Sequence, residues 1–569
     1  MASSGRDGRT TVYDVGVIGG GFAGPVLASV LARAGVRTLL LEERAQPRFA
    51  VGESMVPYTS ALVRLVARRY DVPDLESLAT LKAVRRDVSP RCGVLRNMGF
   101  VFHRAGLRQH PGEVYQVVNP SVVPDPPHLF RQDVDAHLLG VAQRCGADVR
   151  TGSGARVDGV RVDPDSGARL RTRGGAEFSV RYVVDAGGRH APLARELGLR
   201  EEPAGLRHHS RCLFTHMTGV TPYDETPAGR ASVGASPWHE GTLHHVFDGG
   251  WLWVIPFGNQ RRGSADAVCS VGLTLDPRRH PVTDRSPQEE FAAVLDLLPD
   301  VAPQFADARA LRPWTATGRL QYSARQIVGD RYCLAAHAAG FVDPLYSRGL
   351  AHSLQTVDSL AWRLIAAARD GDWSTERFRP VEDLQRGLLA AHDDLACASF
   401  AAFGDFDLFN AVVRVWTLGT VLGALAVENA CGAYLRGGPD HAHRDDAVLR
   451  ALELGRRPGS PLPDNDHYNS LGPLARTLCA EVTAGTRTPG DAAGRIFAAL
   501  GAADYVPPAL GLADPADRFF HNTPARIARA ARWVRTEAPE DTAALLTGAM
   551  RGLLGERLHR PRRPRRPHP

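Results

Sequence analysis

Apolar and polar positions along residues 11–44, TVYDVGVIGGGFAGPVLASVLARAGVRTLLLEER, fall into four blocks. An apolar run ends at Ile18, a glycine-rich turn follows, helical periodicity covers 26–33, and a second apolar run reaches Leu41 and closes on Glu42. This predicts strand, turn, helix and strand, with Gly35 ending the helix. A third apolar run ends at Asp185 before a Gly-Gly turn and a helix. Residues 129–139 predict a helix beginning at Arg131, and 329–364 a strand, a loop and a helix from near Gly349. Alternating segments predict strands over 93–104, 211–220, 242–247, 251–257 and 267–276, with Asp248-Gly249-Gly250 turning a hairpin. In DGGWLWVIP (248–256), strand alternation puts Trp251, Trp253 and Ile255 on one face. From about 376 the pattern turns helical, with a Pro/Gly/Asp-rich break at 436–473.

Composition narrows the function classes. A chain of 569 residues has length for three to four domains at about 150 each. No run approaches the roughly 20 apolar residues of a membrane span, and the N-terminus lacks an apolar signal core. The eight cysteines show no C-x-x-C spacing, so scattered reduced thiols in a cytoplasmic protein are expected. The net charge of +6 suggests nucleic acid, but six arginines and no acid lie in 557–569, so the body is neutral. No nucleic-acid or membrane partner is expected, and 556–569 reads as a disordered basic tail. The pairs His208–His209 and His244–His245 point to opposite faces of a strand, which is no metal clamp, so no metal is expected.

Gly19-x-Gly21-x-x-Gly24 follows the first strand at once, and Glu42 lies 18 residues beyond Gly24. Gly19 makes the tight turn, Gly21 admits a pyrophosphate, and Gly24 lets helix and strand pack. The helix N-terminus attracts phosphate, and the acid takes ribose hydroxyls. Strand, helix, spacing and acid together specify a dinucleotide site.

With the segments at 129–139, 181–199 and 329–364, this motif resembles the FAD-binding flavoproteins that include aromatic hydroxylases and flavin-dependent halogenases. EERAQPRFAVGESMVP (42–57), WLWVIP (251–256) and FVDPLYSRGL (341–350) resemble halogenase segments. The resemblance implies an α/β protein. Its FAD-binding Rossmann-like domain takes 11–90, 128–204 and 326–375, interleaved with a β-sheet substrate domain at 91–127 and 205–325. A helical C-terminal region follows at 376–555. FAD is then held by Gly19, Gly21, Phe22, Ala23 and Gly24, by Glu42 and Glu43, and by Ser54, Met55 and Arg131. Asp185, Ala186 and Gly187 join them, with His337, Pro344, Ser347, Gly349 and Leu350, and the backbone near Ser347 and Gly349 holds halide. Electrons come from NAD(P)H, directly or through a partner flavin reductase, and the substrate is a small natural product of secondary metabolism.

In such halogenases hypohalous acid passes from the flavin to a lysine beside the substrate. Trp251 and Trp253 are expected to wall the flavin from a second cavity. The lysine stands five residues before a phenylalanine; counting back from Phe102 gives Asn97, which offers no amine. Lys82 is the only lysine in the chain. His337 stands where the family has an aspartate against the ribityl chain. The leading expectation is therefore an FAD-dependent monooxygenase, reductase or oxidase that does not halogenate, with Trp251, Trp253 and Asn97 at its catalytic centre. A genuine halogenase tolerating Asn97 is the alternative, and a non-catalytic escort protein is a third reading.

Overall fold

The structure, a computed structural model, describes residues 12–120, 123–259, 267–436, 448, 452–453 and 455–558. At the centre of an eight-stranded sheet lies Val12–Ile18, paired in parallel with Thr38–Glu42 on one side and Glu177–Asp185 on the other. Asp148–Thr151 extends one flank and Tyr332–Leu334 the other, both parallel. Val15, Val17, Leu39 and Leu40 are fully buried, as in parallel strands covered on both faces. Helix Ala23–Arg33 leaves the first strand through the glycine turn.

The second sheet has nine strands. Its main path runs Arg309–Ala310, Arg211–Thr218, Cys269–Leu275, Gly250–Pro256, Gly241–Phe247, Asn97–Phe102, Val114–Val118 and Phe519–His521. Register fixes what each face carries. One row across the sheet reads Tyr115, Phe100, His244, Trp253, Gly272 and Phe214. Neighbouring positions, among them Gly99, Leu243, Val254 and Val271, face the other way, and the last three lie in a separate apolar core.

The C-terminal region is helical over Thr375–Ala402, Phe406–Arg436, Asp466–Thr483, Pro489–Gly501, Pro524–Thr536 and Glu540–Leu558. Several expectations change. This region also supplies a strand, Phe519–His521, which pairs in parallel with Val114–Val118. The last helix continues to Leu558, past the expected start of the tail, and 559–569 lie outside the described residues. Asp466–Thr483 begins inside the expected break and carries Pro473 within it. Phe406–Leu435 is long and apolar enough to cross a membrane, yet 78% of its most apolar window is buried in the protein. It is a core helix.

Candidate active site

A cavity of about 820 Å³ runs from the glycine turn to the tryptophan strand. Its floor is the dinucleotide cradle. Gly19 has φ 109°, and a Cβ there would meet the Ala186 carbonyl at 2.6 Å. A Cβ on Gly24 would collide with the Gly19 carbonyl, so Gly24 serves packing and does not line the cavity. Gly21 is open: a Cβ there would meet only Arg48 Nη2, at 3.5 Å. Arg48 Nε is buried without a hydrogen-bond partner. The guanidinium has only long ion pairs, to Glu42 at 3.8 Å and Asp135 at 3.9 Å, and a cation so loosely held over an open glycine suits an anionic diphosphate. Glu42 accepts from the Gly20 N–H at 2.5 Å and the Arg44 N–H at 2.9 Å, so its carboxylate holds the turn as well as facing the cavity. Arg131 donates to Asp135 at 2.8 Å and to the Val51 carbonyl at 2.9 Å, clamping the loop that carries Gly52, Glu53 and Ser54.

Besides Gly24, two expected cofactor residues lie outside the lining. Asp185 is fully buried, and its carboxylate accepts from the Gly187 and Leu193 N–H groups at 2.8 and 2.9 Å. Burial pushes its pKa up to about 6. It shapes the turn that brings Ala186 and Gly187 to the cavity. Met55 is fully buried in the core. Phe22, Ala23, Glu43, Ser54, His337, Pro344, Ser347, Gly349 and Leu350 all line the cavity.

The 335–350 loop forms a second wall. Burial, with Arg131 nearby, pushes His337 down to about 4, so the ring is neutral, and it packs edge-on against Phe341. A Cβ on Gly349 would stand 3.0 Å from His337 Nε2, so glycine lets the histidine reach the helix start. Tyr346 and Ser347 have φ of 72° and 52°, a left-handed pair that costs about 1–3 kcal/mol per residue. Surrounding contacts hold it: the Tyr346 hydroxyl bonds Ser399 Oγ at 2.6 Å, and its ring stacks on Trp416 at 4.9 Å. The helix Gly349–Asp370 starts here with the unpaired N–H groups of any first turn.

The second sheet forms the third wall. Trp251, Trp253 and Ile255 share the cavity face, as their spacing predicts. Trp253 lies over Gly272, the one position in its row without a side chain, and donates to Ser270 Oγ at 3.2 Å. Beside Trp251, His244 stacks on Phe100 at 4.3 Å. Phe100 in turn packs against Tyr346, Phe409 and Trp416. The expected second cavity is thus replaced by a packed aromatic cluster.

Sequence reasoning missed several polar groups here. Glu53, 1% exposed, bonds His216 Nε2 at 2.7 Å. His128, pushed down to about 4 by burial, donates from Nδ1 to the Pro256 carbonyl at 3.1 Å. Its Nε2 therefore accepts from Thr242, 3.0 Å away, and Thr242 Oγ1 accepts from Ser54 at 2.6 Å. The proline of the tryptophan motif thereby fixes the direction of a three-residue chain. Neither Glu53–His216 nor Thr242–His128 is local in sequence, so no spacing rule exposes them.

Asn97 is elsewhere. It pairs with Gly241, on the face opposite His244, and donates to the Pro237 carbonyl at 2.8 Å and Ser236 Oγ at 3.2 Å. It does not line the cavity. Its expected place at the catalytic centre is corrected by strand parity. Lys82 is exposed on the short helix Leu81–Asp87, outside the cavity.

Comparison with known proteins bears on what this arrangement serves. A tryptophan halogenase family model matches residues 126–385, and an FAD-binding domain model matches 12–51. The chain is 41% identical over 526 residues to the tetracycline 7-halogenase of Kitasatospora aureofaciens, covering 92% of each chain. It is 42% identical over 504 residues to the monodechloroaminopyrrolnitrin halogenase PrnC of Pseudomonas fluorescens, covering 88% of this chain and 86% of that one. The crystal structure of a halogenase PltM variant in complex with FAD superposes with a TM-score of 0.83 at 32% identity, covering 90% of this chain and all of that one. FAD is therefore the cofactor, and the open Gly21 and loosely paired Arg48 fit it. The expectation of a flavoprotein outside halogenation rested on Asn97, and it gives way to this likeness along nearly the whole chain. The protein belongs to the flavin-dependent halogenases of secondary metabolism.

Proposed function

We propose that the protein halogenates an electron-rich aromatic natural product, using FAD reduced by a partner flavin reductase at the expense of NAD(P)H. The identity of 41% to a tetracycline 7-halogenase, sustained over 92% of both chains, carries this reading. Bound and reduced, FAD supplies with dioxygen the oxidation that turns halide into hypohalous acid.

The chain's own residues divide the remaining work. Arg48 and the backbone at Gly21 take the diphosphate, Glu42 the ribose, and His337 the ribityl chain. The helix start at Gly349 draws halide with its free N–H groups. Trp251, Trp253 and Ile255 form the wall along which the substrate ring lies, in the same cavity as the flavin. Ser54, whose proton is committed to Thr242, presents lone pairs to the cavity and accepts a hydrogen bond there. The test supplies the protein with reduced FAD, oxygen, bromide and phloroglucinol, a compound bound in a PltM crystal structure. A brominated ring detected by mass spectrometry is the expected product. A hydroxylated ring, or none altered, would return the protein to the oxygen-transfer or non-catalytic readings.

A further inference from the structure

Among the described residues the cavity has no primary amine, since Lys82 lies outside it. It does hold a histidine that no motif predicts. His244 is 1% exposed and lines the cavity. Its Nδ1 bonds the Gly99 carbonyl at 2.9 Å, so the proton sits on Nδ1 and Nε2 carries the lone pair. Among the described residues Nε2 has no hydrogen-bond partner. Phe100 covers one ring face, and Trp251 stands beside it with ring centres 5.4 Å apart. Trp251 is also 1% exposed, and its indole N–H has no acceptor. Nε2 is thus an unpaired acceptor on a cavity-lining residue, while the indole N–H beside it is closed off from the cavity. A hydroxyl group, which donates, complements such an acceptor.

We propose that His244, beside the Trp251 ring, binds a phenolic hydroxyl of the substrate, with Nε2 taking its proton as the ring reacts. The proposal rests on the halogenase reading above. The carbon ortho or para to the hydroxyl attacks the halogen of hypohalous acid, and the oxygen–halogen bond breaks. The phenolic proton passes to Nε2. The hydroxide released takes it from there, leaving water and a neutral histidine. The C–H proton at the halogenated carbon moves to the phenolic oxygen as aromaticity returns. Activation of the ring thus replaces activation of the hypohalous acid by an amine. Burial pushes His244 down to about 4, so it stays unprotonated at neutral pH. Among the described residues, burial and the Gly99 carbonyl account for that shift, with His245 on the other sheet face and Tyr115 and Tyr346 packed around Phe100.

His244→Asn keeps a donor for Gly99 and removes Nε2; His244→Gln keeps an acceptor that takes no proton. The FAD-loaded protein is titrated calorimetrically with phloroglucinol and with its trimethyl ether, without turnover. The ether, and phloroglucinol against His244→Asn, should bind roughly three- to tenfold more weakly than phloroglucinol to the native protein. In turnover with bromide, a dimedone scavenger reports hypobromous acid. The ratio of brominated phloroglucinol to trapped acid should fall about a hundredfold or more in both variants. Equal binding of phenol and ether by the native protein overturns the hydroxyl site, whether or not the variants fold. A native product ratio in His244→Asn and His244→Gln overturns the proton-acceptor role. If the native protein makes neither hypobromous acid nor product, the halogenase reading falls, while the binding comparison still decides the hydroxyl site.

Discussion

Asn97 and Phe102 are five residues apart on one strand, and five is odd. Strand side chains alternate faces, so the two point opposite ways. Phe102 packs against Phe406 of the C-terminal helices, while Asn97 points toward Ser236 and Pro237. A lysine introduced at 97 therefore reaches neither flavin nor substrate. Asn97→Lys should give no halogenation beyond that of the native protein. It should lower stability by about 2 kcal/mol or more, through the lost hydrogen bonds and a buried charge, read by urea unfolding. An ammonium there that raised halogenation would put position 97 on the cavity face and contradict the register. The residues at the glycine turn were legible for the opposite reason. Gly19, Gly21, Gly24 and Glu42 depend on local spacing, and the chain between them has little freedom.

The strand Gly250–Pro256 shows where legibility stops at the scale of elements. Its two tryptophans announce one face, but the neighbour that makes room for them does not. Gly272 faces Trp253 across an antiparallel pair, a partner set by register and not by any motif. Gly272→Ala would drive a methyl into the Trp253 indole and force the ring off Ser270. Overpacking of this kind costs about 1–3 kcal/mol. Urea unfolding should show that loss together with a shifted tryptophan emission. Native stability with unchanged emission would mean that the ring rests elsewhere. Parallel pairing of Gly241–Phe247 with Asn97–Phe102 was equally hidden, because some 140 residues separate the partners. It is this pairing that delivers His244 to the cavity and His245 to the far face.

Across the whole molecule, buried neutral histidines tie folding to pH. His128, His244, His245 and His337 are pushed down to about 4, and His392 to about 3, chiefly by burial. Unfolded, each would titrate near 6.5. Between 6.5 and 4 the unfolded chain binds more protons, so stability falls as pH falls through that window. Each such group contributes a slope of up to about 1.4 kcal/mol per pH unit. Asp185, raised to about 6, acts the other way between 6 and 3.8, one group against five. Tm should hold nearly level from pH 8 to 7 and drop steeply from 6 to 4.5. A flat profile to pH 4.5 would mean that these rings are solvated. The α/β class, the interleaved sheets and the helical end were readable as trends in periodicity. Histidine burial was not, since it depends on which elements finally close over each ring.

The short strand Phe519–His521 has a consequence in time. It covers the outer edge of Val114–Val118, and its partner Gln116 is made about 400 residues earlier. At roughly 5–20 residues per second, a ribosome needs on the order of 20–80 s to span that interval. Throughout it the nascent sheet carries an open row of backbone donors and acceptors, the arrangement that recruits strands from other chains. This strand thus acts as a late seal, and crowding among growing copies competes with its arrival.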